Sequence, residues 1–192
     1  MELDRLQQQQ QLLIRQRLRP MVNQYQVHTV SPDGSEGPLV AFAQQKRMAF
    51  KEQVTLYRDA DKSSTLCGFK ARSVMDLGAT YDVTAADGRA IGLFRKDFRA
   101  SLLRSSWVVE QPGLGTLTGQ ERSQGVAIAR RFLESLSWLP YHFDFVLDGA
   151  PAFSVVKKWG VRDRYVVTID EARLDRRLVI AMAVALDALQ SR

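Results

Sequence analysis

The chain has 192 residues, with 27 Lys plus Arg against 21 Asp plus Glu, a formal charge of +6, two His and one Cys. An apolar share of 45% beside 25% charged residues is that of a folded domain with a sizeable core and excludes wholesale disorder. Cys67 alone excludes an intramolecular disulfide framework, and with His28 and His142 as the only histidines an imidazole-rich metal site is excluded too, so a reducing, cytoplasmic setting is expected.

Residues 1–11 are Gln-rich with Leu3 and Leu6, and read as a mobile tail or frayed helix ahead of a domain spanning 12–192. Acids among the first residues and the lack of an apolar stretch there give no secretion signal. The segment LLIRQRL (12–18) fits helix or strand, and Pro20 ends it. Thereafter the pattern is short and two-periodic. VTLYRD (54–59), TLCGFKA (65–71), TYDVTA (80–85), AIGLFRK (90–96) and SWVVEQ (106–111) alternate β-branched or aromatic residues with polar ones, as strands with one buried face do.

Asp87-Gly88 between two such runs signals a hairpin on a type I′ turn, with Tyr81 and Val83 sharing one face and Ile91 and Leu93 another. The glycines of PGLGTLTG (112–119) lack the spacing and Lys-Ser/Thr ending of a phosphate loop, and fit turns and strand bends better. Over 121–137, Ala129, Phe132, Leu133 and Leu136 recur at helical spacing, predicting one inserted amphipathic helix with Ser123 as N-cap. HFDFVLDGAPAFSVVKK (142–158) is a second hairpin about Asp148-Gly149, RYVVTID (164–170) another strand, and a helix follows from about Asp175 to Leu189.

That last helix is apolar on every side over Leu178–Leu186 (LVIAMAVAL). It is too short to cross a bilayer, which takes about 20 residues, so other protein must surround it. Ten or so short strands, each with one apolar face, suit a barrel, and a barrel of more than about eight strands has interior space for a helix to fill. The pattern therefore predicts a closed antiparallel β-barrel around a buried C-terminal apolar helix.

Four stretches in order carry a resemblance: LLIRQRL with YQVHTVSPDG (12–18, 25–34), YDVTAADGRAIGLFRKDF (81–98), FDFVLDGAPAFSVVKKW (143–159) and DRYVVTIDEARLDRRLVIAMAVALDAL (163–189). Together they resemble the tubby C-terminal-like superfamily, in its phospholipid scramblase and LURP-one-related (LOR) branch. The resemblance implies a mainly β fold of about twelve strands around the C-terminal helix, and no conserved enzyme chemistry. Tubby proteins bind phosphoinositides through basic residues on the barrel. Scramblases are linked to calcium-dependent lipid movement through a segment just before the last helix. Carried over, that segment makes Asp163, Asp170, Glu171 and Asp175 candidate calcium ligands, although Arg162, Arg164 and Arg173 are interleaved where calcium wants about six to eight oxygen ligands. The cysteine cluster and Pro-rich N-terminus of animal scramblases are absent.

For a lipid headgroup the candidates are Lys70, Arg72, Arg95, Lys96, Arg99 and Arg104, with Arg89 nearby; the competing reading is an ordinary solvated barrel face, with Arg95 and Lys96 on opposite faces of one strand. Arg15, Arg17 and Arg19 alternate along one face of a possible first strand. Cys67 reads as a buried, inert thiol, and no nucleophile–base spacing marks an enzyme. No nucleic-acid-binding motif occurs. The expectation is a non-enzymatic cytoplasmic domain without a required cofactor, associating peripherally with anionic membrane lipid, or else a stress-related scaffold for a protein partner.

Overall fold

Buried and half-buried residues alternate along most strands, and this alternation decides which way each faces. In the segment Arg164–Ile169, Tyr165, Val167 and Ile169 are buried while Arg164, Val166 and Thr168 lie between them on the other face. The computed structural model describes residues 3–19, 22–46, 53–72, 80–97, 106–122, 142–158 and 164–190. A short helix α1 (Leu3–Gln7) leads into β1 (Gln11–Arg19), β2 (Val22–Val30), β3 (Glu36–Lys46), β4 (Gln53–Tyr57), β5 (Thr65–Ala71) and β6 (Thr80–Ala85). There follow β7 (Ala90–Lys96), β8 (Ser106–Gln111), β9 (Gly115–Glu121), β10 (His142–Leu147), β11 (Ala150–Lys158), β12 (Arg164–Ile169) and the helix α2 (Arg176–Gln190).

Among the described residues the twelve strands form one closed antiparallel barrel in which each pairs with its neighbours in sequence, and β1 closes the ring on β12 through Gln11↔Thr168 to Arg15↔Arg164. Closure gives every strand a neighbour on both sides, although β3 meets β4 only at Phe42↔Tyr57 and Ala43↔Leu56. The segment 12–18, ambiguous by periodicity, is strand because β2 and β12 flank it on both sides. The predicted helix over 121–137 lies outside the described residues, although its first residue, Glu121, ends β9.

Helix α2 runs through the interior. Leu178 to Leu186 are each at most 2% exposed. Residues of α2 meet strands around the ring: Asp187 meets Tyr25 on β2 and Tyr165 on β12, and the Arg177 carbonyl meets Cys67 on β5. At β7, a Cβ on Gly92 would come within 2.9 Å of the Leu178 Cδ2 methyl, so the missing side chain lets helix and strand approach closely. Aromatic side chains fill the space between helix and wall, Phe69, Phe94 and Trp107 edge to face in sequence and Phe145 stacked on Phe153 at 4.1 Å. With the interior apolar and Lys, Arg, Asp and Gln facing outward, the wall is the reverse of a lipid-embedded barrel.

Three local expectations need correction. At Asp87-Gly88 only Gly88 has positive φ, +84°, so the turn is not type I′. Gly88 N–H donates to the Ala85 carbonyl, and the pairing register slips between Val83 and Thr84. That slip separates Ile91 from Leu93: Ile91 is buried, whereas Leu93 sits opposite Asp82 on the outer face. At Asp148-Gly149 both residues have positive φ, 49° and 83°, as the two-residue hairpin requires. Of the glycines in 112–119, Gly113 and Gly115 turn the chain with positive φ, while Gly119 leaves room for the Phe145 ring opposite it.

The third correction concerns the N-terminus. Residues 3–10 are docked on the barrel: Leu6 is 2% exposed, Gln7 bridges to Asp175 and to the Arg176 N–H, and Ile169 N–H donates to the Gln10 carbonyl. Leu6, with Leu3 packed beside it against the core, holds the segment together with the Gln7 side chain at the start of α2, a contact that sequence spacing does not reveal.

Candidate functional site

Among the described residues the interior offers polar groups at Cys67, Arg176 and Asp187. Cys67 is wholly buried, burial pushes its thiol up to about 12, and its Sγ lies 3.9 Å from the Arg177 carbonyl oxygen. A thiol so placed is a poor nucleophile. Both histidines lie on the other face of the wall. His28 stands opposite Leu13, with Nδ1 donating to the Gly37 carbonyl at 3.0 Å and 3.5 Å from Glu36 Oε1. His142 stands opposite Val156, its imidazole held below its ordinary pKa by burial, with Arg122 adding to the effect. At the far end of α2, Asp187 is 8% exposed and accepts hydrogen bonds from Tyr25 Oη at 2.8 Å and from Tyr165 Oη.

The acidic segment before α2 closes one end of the barrel. Asp175 caps the helix: its Oδ1 accepts from the Arg177 N–H at 2.9 Å, and its carboxylate takes the Arg177 guanidinium at 2.6 and 3.1 Å and Gln7 Nε2 at 2.9 Å. Burial alone would raise its pKa, but these hydrogen bonds outweigh burial and hold it below the usual carboxylate range. The hydrogen bonds from the Arg173 side chain and N–H bring Glu171 down to about 2. Arg176, 3% exposed, donates to the carbonyls of Gln9, Ala172 and Leu174 at 2.7–2.9 Å and ties the closing loop to the N-terminal segment. Of the candidate calcium ligands, Asp163 lies outside the described residues and Asp170 is exposed, while Glu171 and Asp175 are engaged by arginines. Among the described residues no three acidic, His or Cys side chains gather to hold a metal.

The predicted headgroup residues are only partly brought together. Lys70 and Arg72 border an open depression of about 390 Å³ over β5 and β6, whose other lining includes Gln53, Gly68, Asp82 and Thr84. Arg72 grips Asp82 in a two-pronged ion pair at 2.7 and 2.8 Å, which raises the Arg72 pKa and lowers that of Asp82. Lys70 sits directly opposite the same carboxylate. Arg95 shares the outer face, paired with Thr80 and Val108, but Lys96 alternates to the other side opposite Trp107. Arg99 and Arg104 lie outside the described residues.

A set that sequence reading left scattered comes together across the ring closure. Lys158 is opposite Arg164, and Arg164 is opposite Arg15, so three cations form one outward row on β11, β12 and β1. Arg15 meets Glu36 at 2.6 Å, whereas Lys158 and Arg164 are exposed with no acidic partner among the described residues.

Compared with known proteins, residues 39–187 match the family model described as LURP-one-related, LOR. No curated protein matches the chain.

Proposed function

The chain belongs to the LURP-one-related (LOR) family, and on that footing we propose that it is a non-enzymatic binding module that associates with anionic membrane phospholipid through basic residues on the outside of its barrel. The observation that carries the reading is the filled interior. With α2 occupying the barrel and Leu178–Leu186 at most 2% exposed, the interior is filled among the described residues, which favours a ligand met on the outside. The outer wall carries exposed or half-buried cations on two opposite sides of the ring, Lys70 and Arg95 on one and Lys158 and Arg164 on the other, and one side at a time can face a bilayer. A basic side chain near an anionic leaflet contributes about 1 kcal/mol, so a few acting together suffice for reversible attachment. The inert Cys67 thiol, separated by the wall from both histidines, supports a role without covalent chemistry.

Co-sedimentation tests the reading directly. The protein is expected to pellet with vesicles of phosphatidylserine in phosphatidylcholine and to stay in the supernatant with phosphatidylcholine alone. Binding should weaken as salt rises and the screening length falls from about 10 Å at 0.1 M. Equal partition onto the two kinds of vesicle would sink the lipid reading and favour a scaffold for a protein partner.

A further inference from the structure

We propose that the membrane-facing surface is the outer wall over β11, β12 and β1, on the side away from the Lys70–Arg72 depression; this rests on the lipid reading above. The strand order places that depression about half a turn of the ring away. Three horizontal rows define the surface. The first is polar, with Ser154 opposite Thr168 and Thr168 opposite Gln11. The second, two residues along each strand, is apolar: Val156 is opposite Val166 and Val166 opposite Leu13, all three half-buried on the outer face. The third is the cationic row of Lys158, Arg164 and Arg15, and Arg17 continues the basic side of β1.

Like charges directly opposite one another across paired strands destabilise a sheet, because their Cβ atoms stand only about 5 Å apart. Glu36 relieves Arg15, but Lys158 and Arg164 face each other with no carboxylate among the described residues. An external anion spanning the row relieves that repulsion. The apolar row lies one two-residue step away, about 7 Å along the strands. Cations beside aliphatic groups at that spacing match the boundary between lipid phosphates and acyl chains, where the apolar face of a peripheral protein sits. The Lys70 depression offers less, because Asp82 already faces its cations and would repel a phosphate.

The test combines charge removal with a positional probe. A Lys158→Gln, Arg164→Gln double variant should bind vesicles of phosphatidylserine in phosphatidylcholine about thirty-fold more weakly than the parent, while a Lys70→Gln, Arg95→Gln variant changes much less. Because Cys67 is wholly buried, a polarity-sensitive thiol dye attaches selectively at a cysteine introduced on the outer wall. On Val166→Cys its emission should shift to the blue with these vesicles, and on Lys70→Cys it should not. Parent protein that fails to bind anionic vesicles at all defeats the lipid reading itself. Parent binding with an undiminished Lys158/Arg164 variant, or a blue shift confined to position 70, overturns this placement alone. Tighter binding to double-stranded DNA than to the vesicles, lost in the Lys158/Arg164 variant, would assign the row to nucleic acid instead and overturn it as well.

Discussion

Asp187 is 8% exposed near the C-terminal end of α2, and the hydroxyls of Tyr25 and Tyr165 point at it from opposite sides of the ring closure. Removing one donor leaves a buried charge less well solvated, so Tyr25→Phe should cost about 2 kcal/mol, the usual range for a hydrogen bond to a charged group. Asp187→Ala should cost more, about 4 kcal/mol, because two buried hydroxyls then lose their acceptor. Urea unfolding checks both, as a lowered midpoint at unchanged slope; an Asp187→Ala protein as stable as the parent would show the pair of tyrosines to be incidental. Sequence spacing does not reveal the partners of Asp187, since Tyr25 lies 162 residues away. The same limit governs the basic residues. Lys70 and Arg72 read as an anion site only until Asp82 is placed across the strand from them. Lys158, Arg164 and Arg15 form a row only once the two ends of the chain pair.

The N-terminal turn of α2 joins local sequence logic to a contact beyond its reach. The start of the helix near Asp175 was legible, and so was its interior course, because apolar residues on all faces leave no solvent side. The clamp of Asp175 on Arg177 and its tie to Gln7 of α1 were not. The acid limb of stability should report this turn. The folded-state pKa of Asp175 is depressed, so its contribution is complete above its unfolded value near 4 and is lost as pH falls through the lower folded value. Glu171, depressed from 4.5 to about 2, loses its smaller, solvent-screened contribution over that interval. Asp175→Asn keeps a capping side chain while removing the charge, and should flatten the fall in stability below pH 4 as followed by circular dichroism. Asp175→Ala should cost about 3 kcal/mol at neutral pH, since Arg177, with a side chain 10% exposed, is left without its carboxylate. A parent-like acid limb in Asp175→Asn would show that other carboxylates govern it. At this scale the strands were legible from their alternation, while the slip that parts Ile91 from Leu93 was not, since it depends on which φ values the Asp87-Gly88 turn adopts.

For the whole molecule the decisive fact is that the ring closes through a strand outside the family match. The matched stretch begins at residue 39, within β3, yet β1 fills the gap between β2 and β12. Without β1 the facing edges of β2 and β12 would present unpaired N–H and C=O groups, and the core would lose Leu12 and Ile14, both at most 1% exposed. The segment 3–10 has a different role: it covers the Asp175 end of α2 without completing the ring. Two truncations should therefore differ in kind. A chain starting at residue 11 should remain folded but lose about 2 kcal/mol, comparable to burying Leu6 together with the cap contacts of Gln7. A chain starting at residue 20 should lose the single cooperative transition and aggregate through its open edges, as seen by sedimentation velocity and by the collapse of near-ultraviolet dichroism from buried Trp107. If the residue-20 chain unfolded as cooperatively as the residue-11 chain, β1 would be dispensable to the barrel. The outward row that ends in Arg15 would then belong to a detachable strand, not to the rigid wall that the proposed membrane face requires.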